Sequence, residues 1–295
     1  MQLQLNPDRG VRLHALGTST VVVVDDTFAN LDELRADALD AGYRRPASAY
    51  PGLQAPVSPG GGAEFARELA RLMLNALWGD DWPRTIALDA MVAEYFYSVL
   101  QLAERPRDLV EQHVDTGHWL ASVTYLSGSR GAEAVGDSGE PEEGTAFWRH
   151  RKTGLTCWLT GADPVRLIWL QELFGLRFLD ELPDALSACP RPDQLQLAAD
   201  IWRPRPDRPR TLFSAHSDDD WELLLCIPAK RNRTVAYPGW LFHSAVSAAA
   251  RAQPSDREAL RLTLTGFGTL PVTWANKPRY EPGSYPLPSS LGLRE

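Results

Sequence analysis

The chain is expected to be an α+β protein, with helices early and a β-sandwich or barrel core after them. Three observations carry that expectation. Two segments before residue 80 repeat their apolar residues at helical spacing, short β-rich segments dominate from about residue 93 onward, and no internal repeat divides the chain. Composition offers no sharp boundary, so residues 1–295 are expected to form one domain. Within it, 1–95 would supply a supporting strand and helices, and 96–270 the core with an insertion at about 151–215. Residues 271–295 would be a tail.

Taken in order, Val21 to Val24 are consecutive β-branched residues, as in a strand covered on both faces. Asn30 suits a helix N-cap, with Glu33 at the third position and Leu31, Leu34 and Ala38 at helical spacing behind it. Prolines and glycines crowd residues 44–62, which reads as a loop. A second amphipathic helix follows, with Phe65, Leu69, Leu72 and Ala76 on one side. "AEYFYSVLQL" and "WLASVTYLS" read as strands, the latter alternating Leu120, Ser122 and Thr124 against Ala121, Val123 and Tyr125. Residues 127–144 are glycine-rich and acidic, a loop pattern. Strands return with "WELLLCIP", "RTVAYPGWLFHSA" and "ALRLTLTGFG".

Hydrophobic residues at 44% and charged residues at 23% describe a globular chain rather than a disordered one. A net charge of −8 disfavours a nucleic-acid surface, and no apolar run is long enough to span a bilayer. The three cysteines form no CxxC pair, which suits a reducing compartment, and no secretory pattern precedes "STVVVVDDTF". A cytoplasmic protein without nucleic-acid or membrane partners is the expectation.

Chemistry concentrates at "EQHVDTGHWL". His113 and Asp115, at i and i+2, lie on the same side of an extended chain, so one short segment offers an imidazole and a carboxylate. A metal needs more. His118 is too close to His113 for spacing to separate the two, while His243 sits in an apolar segment where a polar ring needs a reason to be buried. Two imidazoles and one carboxylate on one face of an ion leave three octahedral positions open, the arrangement suited to non-haem Fe(II).

His113-Val114-Asp115, Tyr125-Leu126, Gly144-Thr145-Ala146-Phe147, His243 and Arg261 together resemble the ordered landmarks of Fe(II)/2-oxoglutarate-dependent oxygenases. The prolyl-hydroxylase-like branch is the nearest type, and the resemblance covers about residues 95–268. It implies a double-stranded β-helix (jelly-roll) core with the N-terminal helices packed on it. It also implies iron held by His113, Asp115 and His243, with 2-oxoglutarate and dioxygen as cosubstrates. Arg261 would pair with the distal carboxylate of 2-oxoglutarate, helped by Thr263 and Tyr125. Arg251 and Arg257 are rival anchors, because eighteen residues separate His243 from Arg261 and "SAVSAAARAQPSDREA" reads as an insertion. Glu143 stands where the family pattern has a glycine.

His150, Arg149 and Trp148 are candidate substrate contacts, although each equally suits core or surface. Asn232 and Arg233 open the strand leading to His243 and suit its turn. The resemblance implies hydroxylation of an unactivated carbon in a small molecule such as an amino acid or natural-product intermediate. The alternatives are a protein or peptide side chain as substrate, or a non-catalytic jelly roll. A cupin-type dioxygenase is disfavoured because no HxH spacing occurs.

Overall fold

The computed structural model describes residues 1–16, 19–46, 52–78, 88–100, 112–115, 118–127, 143–151, 156–157, 215–247 and 261–269. Ten strands and two α-helices are described, and every strand pairing is antiparallel. The strands are β1 (Gly10–Leu16), β2 (Ser19–Asp25), β3 (Gly52–Val57), β4 (Val92–Leu100), β5 (Leu120–Tyr125), β6 (Glu143–His150), β7 (Trp221–Pro228), β8 (Thr234–Pro238), β9 (His243–Ser247) and β10 (Leu262–Thr269). A seven-stranded sheet runs β1-β2-β8-β5-β10-β4-β3, and a three-stranded sheet runs β7-β6-β9. The two sheets meet as a sandwich, with Phe147 of β6 edge-on to Tyr237 of β8 at 5.1 Å and Tyr125 of β5 hydrogen-bonded to Thr145 of β6 at 2.7 Å.

Strand alternation assigns the faces of the large sheet. Tyr95 and Tyr97 point outward to the helices. The Tyr95 hydroxyl donates to the Gly62 carbonyl at the start of α2 (Gly62–Trp78), and the Tyr97 hydroxyl donates to Asp37 of α1 (Leu31–Asp40). In register with them come Leu264 and Gly266, then Thr124 and Ser122, then Thr234 and Ala236. Three threonine hydroxyls form a buried chain there, with Thr27 to Thr234 at 2.9 Å and Thr234 to Thr124 at 2.7 Å. The opposite, inner face carries Ala121, Val123, Tyr125, Val235, Tyr237, Thr263, Thr265 and Phe267. Val21 to Val24 are at most 1% exposed, which is the two-sided burial their consecutive branching implies.

Several elements differ from expectation. Residues 44–62, expected as a loop, contain β3. Its one strand partner is β4, its other edge carries an isolated bridge from Gln54 to Arg44, and Pro56 is tolerated because its missing N–H falls on that outer edge. The buried stripe of α2 is Phe65, Ala66, Leu69, Ala70, Met73 and Leu74, while Leu72 and Ala76 are only partly buried. The helix is therefore rotated from the expected face. Asn30 does occupy the N-cap of α1, but its side chain caps nothing. Its amide instead bonds the Gln2 carbonyl and Glu33, and its oxygen accepts from the Gln4 N–H, tying the N-terminal segment to the helix. The strand expected to end at Tyr237-Pro238-Gly239 does so, and the segment with His243 that follows is a strand of the other sheet. Residues 128–142, most of 151–215 and the tail 271–295 lie outside the described residues. Among the described residues, no helix is long and apolar enough to cross a membrane, which leaves strand-spanning barrels unaddressed.

The start of β8 is anchored twice. Asn232, at φ +65°, adopts a left-handed conformation that asparagine tolerates, and its amide bonds both the N–H and the carbonyl of Phe28. Arg233 grips Asp25 of β2 through Nε at 2.6 Å and Nη2 at 3.1 Å. Burial alone would raise the Asp25 pKa, but Arg233, with Arg12 and Lys230 nearby, holds it below the ordinary value. A depressed folded-state pKa means the pair stabilises above the unfolded carboxylate range and that this contribution is lost as pH falls through the folded value. Asp25→Asn should therefore be less stable than the parent in urea titrations at neutral pH, with the difference shrinking below about pH 4. Asn232→Ala should cost about 2–3 kcal/mol in the same assay, from two lost hydrogen bonds and a strained backbone.

Candidate metal centre

His113, Asp115 and His243 meet at one end of the sandwich. Each offers one ligand atom, and the three atoms lie within 4.8 Å of one another. The backbone brings them there. His113 and His243 exchange both N–H to carbonyl bonds, at 3.0 and 2.9 Å, as an isolated antiparallel bridge. Their rings consequently lie 4.3 Å apart between centroids, tilted 54° to one another. Asp115 is fixed by its own N–H, which donates to the Gly239 carbonyl at 2.7 Å. Gly239 has to be bare at this point, because a Cβ would lie 2.5 Å from the His118 carbonyl oxygen and 3.0 Å from that of Asp115.

The side chains are oriented for ligation. His243 Nδ1 lies 2.9 Å from the Leu241 carbonyl oxygen and donates to it, which leaves the Nε2 lone pair facing the cluster. His243 Nε2 is 3.3 Å from Asp115 Oδ2, and His113 Nε2 is 4.0 Å from Asp115 Oδ1. Ligands at right angles on an ion with bonds of about 2.1 Å stand about 3 Å apart, so a small closure of the side chains completes a facial set. Burial pushes the Asp115 carboxyl up, but His243, His113 and His118 outweigh it and hold the group below its usual range. Asp115 thus stays an anion, the state a cation requires. His243 is buried while His113 is half-exposed, so one side of the cluster faces outward. Two imidazoles and one carboxylate with positions to spare fit a divalent metal of the Fe(II) kind.

Arg261, at the entrance to β10, extends over the Tyr125 ring with its guanidinium carbon 5.4 Å from the centroid. Its Nη2 makes a long 3.3 Å bond to the Gly144 carbonyl, and its Nε is buried with no partner. Among the described residues it has no carboxylate partner. Thr263 stands in register with Tyr125 and directs its hydroxyl to the Ser98 carbonyl at 3.3 Å. Burial raises the Tyr125 pKa against the opposing pull of Arg261 and Thr145, so its hydroxyl keeps its proton at neutral pH.

Trp148, Arg149 and His150 lie on β6, in the smaller sheet. Trp148 is buried and its indole N–H donates to Ser244 at 2.9 Å, Arg149 pairs with Glu222 at 3.2 Å, and His150 packs on Trp221 at 4.9 Å between rings. Arg251 and Arg257 lie outside the described residues. Sequence reasoning passed over Tyr237, whose ring lies 4.6 Å from that of His243. The alternation of Val235 and Tyr237 in "TVAYP" was the available signal. Burial raises the Tyr237 pKa well above its ordinary value, Asp115 and Tyr125 raise it further, and Arg261 opposes them.

The fold and site define an antiparallel β-sandwich with a three-residue candidate metal centre at one end. Residues 7–162 and 194–268 match a family described as a family of unknown function, DUF6445, and the chain belongs to that family. No curated protein matches the chain. Among solved structures, a selenomethionine-labelled Fe(II)/(alpha)ketoglutarate-dependent dioxygenase, TqaL, is similar at 13% identity with a TM-score of 0.34. The match covers 87% of this chain and 80% of that one. A likeness of that size adds nothing to the geometry above.

Calorimetric titration with Fe(II) under anaerobic conditions should give one site per chain in the parent and none in Asp115→Ala or His243→Ala. Gly239→Ala removes no ligand but forces the Asp115 backbone away, and it should weaken binding by about tenfold or more, the scale of losing a ligand's outer support.

Proposed function

We propose that the protein is an Fe(II)/2-oxoglutarate-dependent dioxygenase that hydroxylates an unactivated carbon of a small molecule. The observation that carries this reading is a pairing of two unsatisfied features within one sandwich. A facial His113-Asp115-His243 set lies at one end, and an arginine with no carboxylate partner among the described residues, Arg261, lies over Tyr125 further along. Tyr237, whose ring meets His243, and Tyr125, beneath Arg261, stand on the same inner face of the sheet, which supports their sharing one interior. A planar guanidinium that lacks a carboxylate is suited to a ligand that brings one.

In this reading His113, Asp115 and His243 hold one face of the ion and leave the other to cosubstrate and dioxygen. Arg261 and the protonated Tyr125 hydroxyl hold the distal carboxylate of 2-oxoglutarate and so fix its direction along the floor of β5 and β10. Bound iron and 2-oxoglutarate would supply oxidative decarboxylation to succinate and carbon dioxide, coupled to oxygen insertion at a C–H bond. The chain's own work is holding, aiming and excluding water. The carboxylate of Asp115 occupies the position that a halide would need, which favours hydroxylation over halogenation.

Purified apoprotein titrated anaerobically with Fe(II) and then 2-oxoglutarate should develop the weak visible charge-transfer band of the chelated keto acid. The band should be absent in Asp115→Ala. Arg261→Met should keep Fe(II) affinity and weaken 2-oxoglutarate by about tenfold or more, as expected for a lost charge-assisted pair. Iron binding with no band in the parent would discard 2-oxoglutarate, and no iron binding would discard the enzyme.

A further inference from the structure

Tyr237 is 2% exposed, and its ring is held on two sides, by Phe147 at 5.1 Å and by His243 at 4.6 Å. The ring is thus fully used in packing. Its hydroxyl is not: no hydrogen bond joins it to another described residue. The oxygen is not among the sealed polar atoms that lack a partner, so it keeps some access from outside and can meet a ligand. Other tyrosines of this sheet spend their hydroxyls within the protein, with Tyr95 on Gly62, Tyr97 on Asp37 and Tyr125 on Thr145.

The position of Tyr237 indicates the kind of partner it lacks. It stands in register with Ala121, whose methyl leaves space on the inner face. Tyr125 lies four residues further along the same strand, about 13 Å away at the usual strand rise. Its register therefore sets it between His243, whose ring it meets, and Tyr125, which lies beneath the Arg261 guanidinium. Its ring touches His243, which puts it toward the metal end of that interval. 2-Oxoglutarate spanning the interval presents a carboxylate at each end, and in the reading above Arg261 with Tyr125 accounts for the distal one.

We propose that Tyr237 is a cosubstrate-binding residue whose hydroxyl donates a hydrogen bond to the metal-end carboxylate of the 2-oxo acid. This rests on the oxygenase reading above. It makes a demand that Arg261 does not: the contribution of Tyr237 is independent of whether the acid carries a distal carboxylate.

Fe(II)-loaded parent, Tyr237→Phe and Arg261→Met are titrated anaerobically with 2-oxoglutarate and with 2-oxobutyrate, which lacks the distal carboxylate. Tyr237→Phe should bind both acids about tenfold more weakly, the scale of one hydrogen bond to a charged group, and should shift the charge-transfer band. Arg261→Met should be impaired with 2-oxoglutarate only. Because the hydroxyl has no described protein partner, the melting temperature and Fe(II) affinity of Tyr237→Phe should match the parent. Unchanged affinity and an unchanged band in Tyr237→Phe would overturn the proposal while leaving the oxygenase reading intact. A loss confined to 2-oxoglutarate would move the hydroxyl to the distal end and overturn the assignment. A lower melting temperature or weaker iron binding would make Tyr237 structural and overturn it as well. A parent that binds iron but neither acid would end the oxygenase reading and this inference with it.

Discussion

The pair of backbone hydrogen bonds exchanged by His113 and His243 is the constraint on which the rest of the site depends. It joins two points far apart in the chain at an isolated bridge, between His113, outside the named strands, and the first residue of β9. Once it forms, the two imidazoles are neighbours whatever their side chains prefer. Asp115, two residues on, has its carboxylate beside them because Gly239 lets the backbone come close. The ligand set is therefore positioned by main chain, and side-chain rotamers have only the last ångström to adjust.

The segment from Thr234 to Ser247 explains why the bridge falls at this place. It pairs first within the large sheet as β8, breaks at Gly239 to Phe242, and resumes as β9 in the small sheet. His243 is the first residue after the crossing. A ligand at such a corner pairs with Phe147 of the small sheet and packs its ring on Tyr237 of the large one, and Leu241 within the break supplies the carbonyl that fixes the ring's tautomer. Asn232 and Arg233 steady the beginning of the same segment, so the path to the ligand is anchored well before the ligand itself.

What the sequence reveals here follows the range of the physics. His113-x-Asp115 is legible because two residues on one side of an extended chain is a local statement, and the Val21–Val24 run is legible because two-sided burial leaves a compositional mark. Edge strand β3 is not, since its proline and glycine neighbours resemble a loop and only its pairing with β4 reveals it. The rotated face of α2 escapes because Leu72 and Ala76 are as apolar as the residues that turn inward. Asn30 looks like a cap from sequence, and only the nearby N-terminal segment shows where its amide goes. For Tyr237 the alternation with Val235 tells which face it takes, while the want of a partner for its hydroxyl has no sequence pattern.

Arg261 also has a thermodynamic side. A guanidinium with a sealed, unbonded Nε and no facing carboxylate among the described residues is a cation folded in before its counter-ion arrives. Any anion that fits beside it binds the native chain and not the unfolded one, and so stabilises the fold by mass action in proportion to the logarithm of its concentration. An anion small enough to reach Arg261, sulfate and phosphate among them, would in that way raise the apparent stability of the chain.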